Sequence, residues 1–270
     1  MPLDSLPEVN KTSPTDESRT ALVLLTNGTT DPEGLAVLEE IDAWMRRRFP
    51  DKALCWAFRS PRILAVLQNQ GIMMHGLPQT LAHLARLGFT AVVVQSLSVA
   101  TAGEVACAPA SLQVQTGGPL LEAPVAVAEL IDILMRDLDA DEPTVVVAHG
   151  SEQDAGARER LQALAAGLEA RFPRLVVASL RGWPGLAPLQ RLRELVREAG
   201  RVRFVPLLLT AGHHLRTDIL GDQPQSWRHR LGAREVCCSE PLGRNPAVLK
   251  IFARQIEAAL QRLSHRSEFL

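Results

Sequence analysis

The chain has 270 residues, enough for two compact α/β domains or one large one, and its 46% hydrophobic and 22% charged content excludes wholesale disorder and a coiled coil. Lysine and arginine (29) balance aspartate and glutamate (30), so a formal charge of -1 supplies no pull toward a polyanion and argues against nucleic acid as a partner. The most apolar runs, such as Ala91–Val94 and Val205–Leu209, fall far short of the roughly 20 residues a membrane span needs, so no membrane partner is expected.

Residues 1–19 are polar, carry Pro2, Pro7 and Pro14, and read as a disordered leader rather than a secretory signal. Ala21–Leu25 is a continuous apolar run that ends in Thr26-Asn27-Gly28-Thr29-Thr30, the pattern of a buried parallel strand feeding a tight polar loop. Pro32–Arg48 carries Leu35, Leu38, Ile41 and Met45 at helical spacing and stops at Phe49-Pro50. A strand over Leu54–Phe58, helices over 61–69 and 78–87, and a strand over Ala91–Leu97 follow, with Gly88 as a helix stop.

Asp139–Pro143 reads as a linker, after which Thr144–Ala148 is another buried strand ending in the polar turn His149-Gly150-Ser151-Glu152. A helix over 154–171 ends at Phe172-Pro173, and the strand Leu175–Leu180 runs into Arg181-Gly182-Trp183-Pro184, as the earlier strand runs into Arg59-Ser60-Pro61. A further strand is expected over Phe204–Thr210 and a closing helix over 246–263. Asn27-Gly28 and His149-Gly150 are offset by 122 residues (149 minus 27), and Phe49-Pro50 and Phe172-Pro173 by 123 (172 minus 49). A near-constant offset argues for a duplicated βαβ unit. The expected fold is therefore α/β: two Rossmann-like lobes, 20–140 and 141–270, each an open parallel sheet flanked by helices, with a cleft between them. Ligands of such sheets bind beyond the carboxyl ends of the strands, which makes Thr26, Asn27, Ser96 and Arg181 candidate ligand-lining residues.

His149, directly after a buried strand, could bind a metal or move protons; the plain alternative is that it tidies a turn. His213 and His214 follow the Phe204–Thr210 strand, and neighbouring side chains diverge there, so one of the pair at most faces a site. No GxGxxG, GxxxxGK[ST] or GxSxG motif occurs, which removes the main support for a nucleotide, and HExxH and CxxC are missing too. Cys55, Cys107, Cys237 and Cys238 form no disulfide framework and read as reduced, cytoplasmic thiols.

Ala148-His149-Gly150, Gln95-Ser96-Leu97, Leu207–His214, Ser226-Trp227 and Gly243-Arg244-Asn245-Pro246, in that arrangement, resemble the anaerobic cobalt chelatase family acting on sirohydrochlorin, over most of residues 20–262. The resemblance implies a bilobal chelatase that inserts a divalent metal into a tetrapyrrole without ATP, with Co²⁺ first and Fe²⁺ or Ni²⁺ as alternatives, and it is compatible with a homo-oligomer. It implies His149 and His214, both in the C-terminal lobe, as metal ligands and proton acceptors, and Glu104 as an acid that assists proton transfer. Asp218 and Asp222 fall at further acidic positions. Arg181 stands where the family typically has a glutamate of the metal site, and Ser98 where many relatives have histidine. The competing reading is a non-catalytic tetrapyrrole binder in which Arg181 has replaced the family glutamate.

Overall fold

In a computed structural model, residues 20–102, 105, 108–210, 212 and 215–267 are described. The expected leader, Glu104, His213 and His214 lie outside them. Two four-stranded sheets form, and every strand pairing in both is parallel. The first contains β1 (Thr20–Thr26), β2 (Ala53–Phe58), β3 (Ala91–Ser96) and β4 (Gln113–Gly117) in the order β2-β1-β3-β4. The second contains β5 (Thr144–Ala148), β6 (Leu175–Ser179), β7 (Arg201–Leu207) and β8 (Glu235–Cys238) in the order β6-β5-β7-β8. The two orders are the same, element for element, as duplication requires.

The repeat extends to details. Helix α1 (Pro32–Arg48) is capped by Asp31, whose carboxylate accepts the amides of Glu33 and Gly34. Helix α5 (Ala155–Glu169) is capped by Asp154, which accepts the amide of Ala157. An Asp cap satisfies amides that the first helical turn leaves unpaired and adds charge that suits the helix dipole. Both helices lie against their sheets through a buried stripe, Val37, Leu38, Ile41 and Met45 in α1 and Leu161, Leu164, Ala165 and Leu168 in α5. Helices α2 (Pro61–Asn69) and α3 (Leu77–Arg86) complete the first βαβ region, and α6 (Leu189–Ala199) serves the second.

The chain separates into two compact units, but the cut differs from the expected 20–140 and 141–270 division. One unit holds the chain up to Ser98, Ala102–Pro119 and everything from Leu249; the other holds Val99–Thr101 and Leu120–Val248. Thus α4 (Pro124–Met135), which follows β4, belongs to the unit of the second sheet, and α8 (Pro246–Ser267), which follows β8, belongs almost wholly to that of the first. Pro124 and Pro246 open these helices 122 residues apart (246 minus 124), so the exchange is itself part of the repeat. Gly167 on α5 shows how closely α4 is seated: a Cβ there would lie 2.4 Å from Ile131 Cδ1.

Two local expectations also change. Asp139–Pro143 is not a free linker, because Glu142 is buried beside Arg203 (Oε2 to Nε, 2.6 Å) and Arg203 N donates to Pro143 O. The seventh strand runs over Arg201–Leu207 rather than Phe204–Thr210, since β5 runs out at Ala148, opposite Leu207. Beyond it, the carbonyls of Leu208 and Leu209 accept the amides of Leu242 and Gly243 instead. No helix among the described residues is long and apolar enough to cross a membrane.

Since α8 buries Phe252 (1% exposed) in the unit of the first sheet, Phe252→Ala is expected to destabilise the protein by about 3 kcal/mol. The unit that weakens should hold β1–β4, far away in sequence, which hydrogen exchange of the β1 amides against those of β5 will show.

Candidate functional site

In each sheet, the first strand connects outward to the second on one side and the third continues to the fourth on the other. This reversal opens a crevice at the carboxyl ends of neighbouring strands, β1 and β3 in one unit and β5 and β7 in the other. The expected site residues fall at these two edges, Thr26, Asn27 and Ser96 in the first and His149 and Arg181 in the second.

His149 is exposed immediately beyond β5. Its ring Nδ1 lies 3.0 Å from Gly150 O. A carbonyl can only accept, so Nδ1 is the donor in this contact; a neutral ring of that tautomer has its lone pair on Nε2, the nitrogen through which such a histidine binds a metal or takes a proton. The turn that bears it is held by backbone. Gly150 has φ +72°, and a Cβ there would lie 1.8 Å from Arg181 O; Gly182 has φ +62°, and its Cβ would lie 2.2 Å from Ser151 O. The two loops therefore interlock through positions that only glycine can fill. Leu180 N donates to Ala148 O and Arg181 N to His149 O, which places Arg181 as the ladder neighbour of His149. Beneath them Ser179, buried, accepts Gly185 N at 2.9 Å and ties down the loop after β6.

Arg181 is exposed, and among the described residues its guanidinium has no hydrogen-bond or ion-pair partner.

Across the crevice from His149, Leu215–Ile219 form a π-helical turn directly after His213-His214, with Leu220 N donating to Leu215 O. Such turns are rare and concentrate at functional sites. Asp218 lies on this turn, and Asp222 pairs with Arg228 at 3.0 Å. Among the described residues no three His, Cys, Asp or Glu side chains group as a metal site. Of the expected set His149 alone is described; His214 and Glu104 lie outside. Burial pushes the Cys55 thiol up to about 12 and, with Cys237 and Glu240 adding to it, that of Cys238 up to about 11, which holds these two as thiols.

At the first edge Ser96 is fully buried, and its hydroxyl lies 2.9 Å from both Arg59 Nη2 and Ser98 Oγ. Thr26 is buried with its hydroxyl toward Gly28 N at 3.5 Å, a turn role, whereas Asn27 is exposed. Arg59, whose segment Arg59-Ser60-Pro61 echoes the one containing Arg181, is a charged neighbour of this edge that sequence reasoning did not single out.

Several residues that carry the family resemblance are structural. Ser226 accepts His229 N as the cap of α7 (Trp227–Leu231), Trp227 is a core residue, and Asn245 accepts Ala247 N at the start of α8.

This fold is that of the chelatases. The structure superposes on a crystal structure of the sirohydrochlorin chelatase SirB from Bacillus subtilis subspecies spizizenii in complex with cobalt with a TM-score of 0.59, at 14% identity, covering 89% of this chain and 95% of that one. The sequence model of the cobalt chelatase family (CbiK) matches residues 20–261, and the chain belongs to that family. It is 30% identical over 228 residues to a sirohydrochlorin cobaltochelatase of Salmonella typhimurium, covering 78% of this chain and 84% of the relative. It is 26% identical over 236 residues to the sirohydrochlorin cobaltochelatase CbiKC of Nitratidesulfovibrio vulgaris, covering 82% of each.

Because the Gly150 Cβ position is occupied by the Arg181 carbonyl, Gly150→Ala should cost about 2–4 kcal/mol and move the His149 turn. Denaturant unfolding checks the first effect, and a shift in the His149 ring NMR signals checks the second.

Proposed function

We propose that this protein inserts a divalent metal, Co²⁺ by preference and Fe²⁺ or Ni²⁺ as alternatives, into a sirohydrochlorin-like tetrapyrrole without ATP. The observation that carries this reading is the placement of His149: in a chain of the cobalt chelatase family, it stands exposed immediately beyond β5, with its Nδ1 3.0 Å from Gly150 O.

In this reading His149 and His214 hold the incoming ion loosely as neutral imidazoles. The ion passes to the four nitrogens of the macrocycle, and the two pyrrole protons that it displaces go to basic groups, with His149 first and Glu104 assisting. Formally, M²⁺ replaces 2 H⁺ and no electron moves, so neither nucleotide nor redox partner is required. We place the reaction in the cytoplasm, where thiols such as Cys237 stay reduced.

Arg181 sets the character of the site. A permanent cation beside the ladder position of His149 repels a divalent ion, while its planar fork suits the carboxylates of the substrate. We read Arg181 as a grip on the macrocycle edge that replaces one acidic metal ligand. The rival reading, a binder without insertion activity, draws on the same residue.

His149→Ala is expected to lower kcat/KM for Co²⁺ insertion by about 100-fold or more, followed by the change in absorbance as metal enters purified sirohydrochlorin. If wild-type protein gives no rate above the spontaneous reaction with any of the three ions, the proposal falls. Arg181→Glu is expected to raise KM for the tetrapyrrole and reduce insertion; a gain of insertion in that variant would instead identify the natural chain as a binder.

A further inference from the structure

A cavity in the unit of the second sheet carries chemistry that metal insertion does not use. It encloses about 480 Å³ between the loop after β6 and helices α6 and α7, and Leu186, Ala187, Leu189, Gln190, Arg193 and Arg230 line it. All six belong to one compact unit. Leu189, Leu192 and Val196 of α6 share a buried core with Trp227 and Leu231 of α7, so the two helices that carry the arginines are locked against each other. A concave space of this size, with an apolar wall and a few polar groups, is what a small-molecule site requires.

The arginines of α6 and α7 divide into two groups. Those that do not line the cavity are neutralised: Arg191 pairs with Glu169 at 2.9 Å, Arg197 with Glu194 at 3.0 Å and Arg228 with Asp222 at 3.0 Å. The two that line it have no acid. Arg193 has no hydrogen-bond or ion-pair partner among the described residues, and Arg230 makes one backbone contact, its Nε donating to Gln225 O at 2.8 Å. That contact restrains the guanidinium and leaves its terminal nitrogens uncommitted. Gln190, three residues before Arg193 on the same helix face, adds an exposed amide, and Leu186 is a large apolar side chain left 37% exposed beside the two cations. Two like charges on one cavity repel; a doubly charged anion between them converts that repulsion into attraction, and planar guanidinium forks match the oxygens of carboxylate and phosphate.

We infer that this cavity is a binding site for a small organic dianion, a phosphate monoester or a dicarboxylate, whose charge is held by Arg193 and Arg230 and whose apolar part lies on Leu186 and Leu189. The site uses neither His149 nor a metal, and it stands whether or not the chain inserts metal into a tetrapyrrole.

The test is a calorimetric titration of the full chain, without metal or tetrapyrrole, using three probes: phenyl phosphate, which joins a dianion to an apolar ring; glutarate, a dicarboxylate; and benzyl alcohol, an uncharged ring. One of the two anions at least should saturate a single site while benzyl alcohol does not bind, and the tighter of the two names the headgroup. Arg193→Gln and Arg230→Gln should each weaken that binding about tenfold, the size of one charge-assisted hydrogen bond. Arg197→Gln, on the same helix but at a residue already paired with Glu194, and His149→Ala should each stay within about twofold of wild type. In amide NMR spectra the anion should shift Leu186–Arg193 and Arg230. Both cavity arginines are exposed, so their variants are expected to fold, and Arg193→Lys, which keeps the charge without the fork, should weaken binding by a few-fold if thermal melting shows otherwise. Saturation by neither anion, or a loss in Arg197→Gln equal to that in the two cavity variants, overturns the assignment and leaves the chelatase reading in place.

Discussion

Parallel strand order is the constraint on which the rest of this molecule depends. With the first strand placed between the second and third, the connections leave the sheet in opposite directions, and the carboxyl ends of the first and third strands become a crevice lined by loop residues. Both sheets obey it. In one, the first strand is followed by an imidazole, His149; in the other, by Asn27, with the Arg59 guanidinium bonded to the Ser96 hydroxyl at the end of the third strand. Duplication supplied two copies of one geometry, and substitution at the strand ends gave them different chemistry.

Fixing the imidazole required close backbone contact. Gly150 and Gly182 interlock the loops after β5 and β6, so the position of His149 is set by main-chain packing rather than by a flexible side-chain network. Arg181 is fixed by the same means: its amide donates to His149 O, which places its backbone beside the His149 turn.

The exchange of the last helix of each repeat has an energetic consequence. Helix α8 buries Val248, Leu249, Ile251, Phe252 and Ile256, mostly in the unit of the first sheet, while α4 buries Leu130 and Ile131 in that of the second. Each sheet is therefore completed by a helix from beyond its own stretch of sequence, and neither half of the chain alone contains a complete hydrophobic core. A duplicated protein built in this way resists separation into its parent halves.

What the sequence determined by itself was local. Buried strands such as Val145–Val147, fully apolar because both faces of a parallel sheet are covered, were legible as continuous runs, and the 122-residue offset exposed the duplication. His149 and Arg181 were legible because each directly follows such a run. What only the tertiary structure decided was non-local. Edge strand β4, Gln113–Gly117, has no apolar run to mark it, and its pairing with β3 alone makes it a strand. The allegiance of α8 depends on surfaces more than a hundred residues away, and that of α4 on elements that follow it in the chain, which no periodicity encodes. Ser96 was legible as the end of a buried strand, but its burial and the approach of Arg59 Nη2 to its hydroxyl were not, because the direction of a side chain is set by the neighbouring strand and not by its own segment.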